Sequence, residues 1–459
     1  MTSVRRPLKA VTAVSVDPTR PAADDHNFEL LSIPGVQVIV LPDLPGEARI
    51  FFQMMRHWTR QPDGKREKSG KGRNRCVARS TATHLHLNFA MPASGSGYYR
   101  GSKADNVEFS LFYFGNDLQD SAGRYRLLIE GAKAADEAGF RAVWTPERHF
   151  HPFGGLYPSP SVAGAAIAAL TSQVGIRAGS VVAPLHDPLR IAEEWAVVDN
   201  ISGGRAGVAL ASGWNAVDFG LRPEAYQRRR DIVRETVTTI RALWRGEEVT
   251  VTDGTGKPAR VRIYPEPVQA ELPIWLTSAG GVETFKAAGA LGTGVLTHLL
   301  GQDISTVAAK IAAYRSAWDH HQPPSAGRPH VTLMMHTFLG KDRDDARDHV
   351  REPFVKYLTS SFDLLSRNST ATAELDVSQF SDDDKEYVIR RSFDRYFDTS
   401  GLFGTVADGI EMTRKMAAIG VDEVACLIDF GVDPELVLTH LQHLVELKDA
   451  CAASAYASA

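Results

Sequence analysis

The sequence predicts an α/β protein, a (β/α)8 barrel with insertions, and three observations carry that prediction. From Glu108 onward, eight short apolar runs alternate with segments of helical spacing. Within Phe140–Asp187, two buried strands flank an Ala-rich helix. Parallel strands joined by a crossover helix form a βαβ unit. Polar residues crowd the C-terminal ends of the strands, where barrel enzymes keep their chemistry. A doubly wound sheet would also alternate, but it rarely runs to eight units. No dinucleotide fingerprint follows the first strand.

Taken in order, the first strand is Phe109–Phe114, and its helix spans about 123–138 and stops at Gly139. The second strand, Arg141–Trp144, ends at Pro146 and delivers Glu147, Arg148 and His149. The third is Gly175–Val182. Its helix starts near Pro188, which the first turn tolerates, and carries Ile191, Trp195 and Val198. The fourth strand, Arg205–Ala211, runs into Ser212-Gly213-Trp214-Asn215. Val233, Val237, Ile240 and Trp244 share one face of a helix predicted from about Glu224 to Trp244. Alternation around Asp253-Gly254 predicts a hairpin insertion over 246–267. The fifth strand is Ile274–Thr277, followed by Ser278-Ala279-Gly280-Gly281 and a helix. The sixth is Gly294–Leu299, with a helix over about 304–320. The seventh, His330–Leu339, is apolar enough to be buried on both sides, and a helix over about 342–365 follows it. The polar stretch 366–400, with an acidic run at 382–384 and a helical piece ending near Tyr396, reads as a lid or insertion. Thr405 and Asp408 resemble a capping box, the eighth strand is Glu423–Ile428, and Pro434 opens the last helix.

Composition sets the bounds. With 459 residues and a net charge of −4, no global basic field calls for nucleic acid. Three scattered cysteines, Cys76, Cys426 and Cys451, offer no metal or disulfide spacing, which suggests a reducing compartment. Cys426, in an apolar strand, reads as a buried small hydrophobe. Neither a signal peptide nor a membrane span is evident, so the expected setting is cytoplasmic, with no membrane partner. Residues 1–107 form an N-terminal extension and 108–459 the barrel domain. The extension has one strand-like run, Val36–Leu41, and nine Lys and Arg between Arg56 and Arg79 without apolar period. Its composition predicts a largely disordered segment, in preference to an RNA- or lipid-binding tail. Met91 offers an alternative start, in which case residues 1–90 would not belong to the native protein.

The strand ends bring Tyr113, Asn116, Glu147, Arg148, His149, Ser180, His186, Ser212, Trp214, Asn215, Ser278, Gly280, Gly281, His298 and Asp429 to one face. Their His and acidic members fit no metal-ligand spacing. Arg148 and His149 suit proton transfer and hydrogen bonding to a reactive species. The plainer alternative pairs Glu147 with Arg148 and packs His149 in the core. Gly280 and Gly281 precede a helix, so backbone N–H groups and the helix N-terminus suit a phosphate, although a plain tight turn uses the same residues. Trp214 could flank a planar ligand, with Asn215 bonding its edge, or simply cap the barrel mouth.

PERHF with FGG, SVVAPLHDPLRIAEEWAVVDNISGGR, SGWN and CLIDFG together resemble the flavin-dependent luciferase-like monooxygenases, over about Glu108 to Leu447. The resemblance is to the subgroup found with polyketide and nonribosomal-peptide biosynthesis. It implies a bacterial-luciferase-like (β/α)8 barrel using reduced FMN from a separate flavin reductase, with molecular oxygen as co-substrate. A flavin C4a-(hydro)peroxide would deliver one oxygen atom to an amino-acid-derived or carrier-protein-bound intermediate. Glu147, Arg148 and His149 would be catalytic. Ser180 and Val181 would lie beside the isoalloxazine, with Gly179–Ser180 the candidate for a non-proline cis bond. Ser212, Gly213 and Asn215 would touch flavin or ribityl phosphate, and Ser278, Gly280 and Gly281 would hold phosphate. Luciferase has two adjacent histidines after the Glu; here Arg148 replaces the first, so light emission is not expected. The resemblance also implies a homodimer and a possible acyl- or peptidyl-carrier partner. Two alternatives stand beside it: a deazaflavin-dependent oxidoreductase of the same fold, and a flavin-binding protein without turnover.

Overall fold

The computed structural model describes residues 29–33, 36–40, 107–115, 123–323, 327–367 and 382–457. Most of the N-terminal extension, including the basic tract, and Asn116 lie outside the described residues. The chain divides into two units, 1–102 and 103–459. In the first, β1 (Glu29–Ile33) pairs antiparallel with β2 (Val36–Val40), a ladder for which only the second strand has a sequence signal.

The second unit alternates strands and helices as the sequence predicts. In order they are β3 (Glu108–Phe112), α1 (Arg126–Glu137), β4 (Ala142–Thr145), α2 (Pro160–Leu170), β5 (Gly175–Val182), α3 (Pro188–Ser202), β6 (Ala206–Ala211) and α4 (Arg229–Trp244). The hairpin β7 (Val249–Thr252) and β8 (Pro258–Val261) intervenes. Then come β9 (Ile274–Thr277), α5 (Val282–Leu291), β10 (Gly294–His298), α6 (Ile304–His321), β11 (Val331–Leu339), α7 (Arg343–Arg367), α8 (Asp382–Thr399), β12 (Leu402–Gly404), α9 (Val406–Ala418), β13 (Glu423–Leu427) and α10 (Pro434–Ala457). The sheet order is β10-β9-β6-β5-β4-β3-β13-β11, and β10 also pairs with β11. That last pairing closes eight parallel strands into a barrel, the expected fold. No helix among the described residues is long and apolar enough to cross a membrane.

Local chemistry explains most boundaries. Asp187 accepts from Leu189 N at 2.8 Å and caps α3, which ends at Gly203 in the left-handed region. Thr405 and Asp408 form the reciprocal capping box of α9. One expectation needs correction. Helix α4 begins at Arg229, not near Glu224, because 216–221 and 223–225 are separate 3-10 turns. Phe219 and Ala225 pack there with Val182 and Leu185 in a small cluster of their own, which fixes the turns at the end of β5. Within the stretch 366–400, α8 is the expected helical piece. Residues 368–381 lie outside the described residues, but α8 is packed helix. It buries Phe393 and Phe397 and ties Asp394 and Asp398 to Arg343, Arg347 and Arg351 of α7. The three-residue strand β12, which extends the β11 edge, has no sequence signal of its own.

The N-terminal end of the barrel is closed by a buried ion pair. Arg177 Nη1 reaches both oxygens of Glu423, at 3.1 and 2.7 Å, and its guanidinium lies against the rings of Trp144 and Trp275, which pack edge-on to each other. Ser110 and Trp144 donate to the same carboxylate. Burial would raise the Glu423 carboxyl, but Arg177 and its other partners outweigh that and bring it down to about 2.

Candidate active site

Strand β4 sets the centre of the opposite end. After Thr145 the chain turns at Pro146 and carries Glu147 inward, with 3% of its surface exposed. The carboxylate is fully engaged. His149 Nε2 lies 2.8 Å and His186 Nε2 2.6 Å from Oε1, while the Val182 N–H donates to Oε2 at 2.7 Å. A carboxylate only accepts, so both imidazoles present an Nε2–H to it and turn Nδ1 away. Burial alone would raise the Glu147 carboxyl; the two histidine bonds lead the opposing effects, and the net shift is downward. His186 moves upward, because its bond to Glu147 outweighs its burial.

Arg148 does not pair with Glu147. Its guanidinium stacks 4.8 Å from the centre of the Trp214 ring, and Nη1 lies 3.6 Å from Asp218 Oδ2. The residue is 4% exposed, and Nε and Nη2 have no hydrogen-bond partner among the described residues. Burial leads the shift of both groups, lowering Arg148 and raising Asp218 against their mutual attraction. Gly154, at φ +74, lets the loop pass closely over the arginine stem: an added Cβ would lie 2.7 Å from Arg148 Cγ. Phe150 is a non-glycine residue at φ +55 and is 65% exposed at this mouth. Such a conformation is uncommon away from glycine and draws attention to the site.

Strand β5 supplies the neighbouring wall. Gly179–Ser180 is a non-proline cis peptide, at the bond the sequence resemblance marks. A Cβ at Gly179 would sit 2.7 Å from the Phe112 ring, so only glycine fits there. Ser180 bonds Thr277 of β9 through their hydroxyls, and Val181 is buried beside it. At the end of β6, Ser212 and Gly213 (φ +71) lead into Trp214, and Asn215 is 1% exposed. The Asn215 amide donates to Asp218 and its carbonyl accepts from Val217 N, so it holds the turn carrying Asp218.

The β9–α5 turn forms a second polar corner. Gly280 has φ +146, Gly281 caps α5, and the Ser278 hydroxyl donates to the Gly281 carbonyl at 3.2 Å. Lys310 of α6 is bonded to Gln302, and its Nζ would lie 3.7 Å from a Cβ built on Gly280. An ammonium against a glycine turn at a helix N-terminus suits a phosphate, so the residues fit a flavin mononucleotide tail. His298 is half-buried at the end of β10, its Nδ1 enclosed and without a partner among the described residues, and desolvation lowers its pKa to about 4. Across the mouth, Tyr157 donates to Asp429 at 3.0 Å, and burial pushes that carboxyl up to about 6.

Sequence reasoning did not single out Asp218, Lys310, Gln302, Tyr157 or Thr277. Asp218 follows Asn215 by three residues, a local spacing that could have flagged it; Lys310 lies inside a helix with no local mark.

Among the described residues, one group elsewhere has metal-ligand spacing, Glu108, His330 and Glu423. There Trp275 donates to His330 Nδ1 at 3.1 Å, which leaves the proton on Nε2, the atom facing both carboxylates. With Arg177 already on Glu423, this is a balanced network rather than a vacant ligand set. A cavity of about 460 Å³ opens beside it, where Arg241 is bonded to the carbonyls of Leu291 and Gly292.

Residues 107–423 match the luciferase-like monooxygenase family. The chain belongs to that family. A similar protein is the oxygenase component of the flavin-dependent trigonelline monooxygenase of Acinetobacter baylyi, 26% identical over 350 residues, covering 74% of this chain and 94% of the relative. Among solved structures, monooxygenase RslO1 of Streptomyces bottropensis aligns with TM-score 0.60 at 23% identity, over 74% of this chain and 98% of its own. The oxygenating constituent of 3,6-diketocamphane monooxygenase of Pseudomonas putida, in complex with FMN, aligns at 0.58 with 17% identity, over 75% and 98%. An F420-dependent secondary alcohol dehydrogenase aligns at 0.55 with 18% identity, over 75% and 99%. At these identities the structural likeness concerns the fold alone.

Proposed function

We propose that this chain is the oxygenase component of a two-component monooxygenase, taking reduced FMN from a separate flavin reductase. It would insert one oxygen atom into an amino-acid-derived or carrier-bound natural-product intermediate. The observation that carries this reading is the buried Glu147 carboxylate, which orients two imidazoles next to a wall and corner shaped for a flavin. The name of the Acinetobacter relative, an oxygenase component, supports a separate reductase. The trigonelline relative, flavin-dependent by name, and the FMN held by the diketocamphane enzyme support a flavin, and the choice of FMN over deazaflavin rests with the test below. A homodimer, a carrier-protein partner and a cytoplasmic setting belong to the same reading.

Each residue then has a task. Lys310, the Gly280–Gly281 turn and the α5 N-terminus hold the phosphate, which fixes the ring position. Ser180, Val181 and the Gly179 backbone line the ring. Ser212, Gly213 and Asn215 shape the β6 side, while Ser278 pins the phosphate turn. Glu147 orients His149 so that Nδ1 takes a proton from the substrate and later returns it. Arg148 faces the reacting region as a fixed positive charge. Bound reduced flavin supplies the two electrons that let oxygen divide between product and water. The overall balance is substrate, oxygen and reduced FMN giving oxygenated substrate, water and FMN.

The test supplies reduced FMN, ¹⁸O₂ and a panel of amino acids and acyl carriers, with product read by mass. One ¹⁸O per product and oxygen uptake that requires reduced FMN are expected. Deazaflavin reduction without oxygen uptake would overturn the oxygenase reading in favour of the dehydrogenase alternative.

A further inference from the structure

We propose that Arg148 is the substrate-specificity residue of this site and that it receives a carboxylate of the substrate through its Nε–Nη2 edge. This deepens the oxygenase reading and rests on it.

The inference starts from an imbalance. A guanidinium offers five N–H donors in a fixed plane, and an arginine that is 4% exposed normally finds acceptors for them. Here Nε and Nη2 find none among the described residues. Those two atoms lie on one edge of the guanidinium, with parallel N–H groups spaced like the two oxygens of a carboxylate. The other side is already held. Nη1 faces Asp218 at 3.6 Å, a charge contact beyond hydrogen-bond length, and Asp218 also takes the Asn215 amide. The arginine is therefore fixed at one side and open at the other, as an anion receptor requires.

The flavin phosphate is not the anion in question. It has its own corner on β9 and α5, whereas Arg148 follows β4, and β5 and β6 stand between those two strands in the barrel. One cofactor tail cannot occupy both. The surroundings of Arg148 describe the rest of the ligand. Trp214 stacks on the guanidinium, the Phe114 ring centre is 6.0 Å away, and Phe114 packs on Phe153, which packs on Tyr357. The rim beyond is apolar, with Phe150 and Trp214 exposed by 65% and 44%. A carboxylate on a flat or apolar body matches this lining; a polycation or a neutral sugar does not.

The test compares acids with their amides on the FMN-loaded protein, by calorimetric titration and thermal shift. Formate, acetate, benzoate and nicotinate serve as probes against formamide, acetamide, benzamide and nicotinamide. At least one acid should bind about 10-fold or more tightly than its amide. Arg148→Gln should bring every acid/amide ratio to within about twofold, and Arg148→Lys should keep part of the preference, because its charge remains without the bidentate edge. FMN affinity should stay unchanged in both variants. No acid preferred by the wild-type protein, or a preference that survives in Arg148→Gln, would overturn the proposal. Should Arg148→Gln fail to fold, the wild-type ratios and Arg148→Lys decide it alone. Failure of the wild-type protein to bind FMN would instead count against the oxygenase reading.

Discussion

The two ends of the barrel each bury an arginine and a glutamate, and they treat them in opposite ways. At the N-terminal end Arg177 and Glu423 are bonded to each other, and two neighbouring aromatic rings lie against the cation. At the C-terminal end Glu147 is saturated by two histidines and a backbone N–H, while Arg148 keeps two donors open. A buried charge with every partner in place holds a structure together. A buried charge with an open edge carries a desolvation cost that folding alone does not recover, and it marks where a ligand completes the set. The same pair of residue types thus closes one end of the molecule and equips the other.

The largest effect is expected from breaking the closed end. Arg177→Met leaves Glu423 charged in a dry interior and should cost about 3–5 kcal/mol, read as a lowered urea midpoint with unchanged slope. Arg177→Met with Glu423→Leu removes both charges and should recover most of that loss. FMN affinity of the folded fraction should not change in either, since no contact to the mouth is altered. A double variant no more stable than the single would show that the ion pair does not act as a unit.

Acid separates the two ends next. Glu423 titrates below its usual value, so its stabilisation is full above about pH 4.5 and is lost as pH falls toward 2. Asp429 titrates at about 6, above its usual 3.8. The folded state therefore holds a proton there that the unfolded chain has already released, and stability falls as pH rises from about 4 to 6. At roughly 1.4 kcal/mol per pKa unit the second effect amounts to about 3 kcal/mol. Asp429→Asn should flatten the unfolding free energy between pH 4 and 6 and leave the acid limb below pH 4.5 intact. A wild-type profile that rises across pH 4 to 6 would contradict the assignment.

What the sequence made legible were features written in consecutive residues. The eight repeats, the helix start at Pro188, the Thr405–Asp408 box and the place of Glu147, Arg148 and His149 all depend on neighbours a few residues apart. The Gly179–Ser180 bond was legible through family resemblance alone. Illegible were pairings set by closure of the barrel. Arg177 and Glu423 are 246 residues apart, and His186 meets Glu147 across 39. Lys310 reaches the Gly280 turn from inside a neighbouring helix, where nothing in its own segment distinguishes it from a solvated lysine. The start of α4 was misplaced because Phe219 and Ala225 are drawn onto β5, a tertiary contact that overrides the helical pattern of the segment.

The smallest of these effects tests the saturated half of the mouth. Glu147→Gln keeps the shape of the side chain but sets an amide N–H₂ against either the two imidazole Nε2–H groups or the Val182 N–H, so one of those contacts is lost and the imidazoles lose the charge that orients them. Product formation should fall by about 10²-fold, close to 2.7 kcal/mol, with FMN affinity and substrate binding unchanged. His149→Ala should lose a similar factor, and the double variant little more, because the carboxylate acts through the imidazole. His186→Ala discriminates further. If His149 is the proton carrier, removing His186 frees a Glu147 lone pair but leaves the orientation of His149 in place, and the rate should drop only a few-fold. A 10²-fold loss in His186→Ala with little loss in His149→Ala would move the acid–base role from the β4 loop to the end of β5, leaving Glu147 as the anchor in either case.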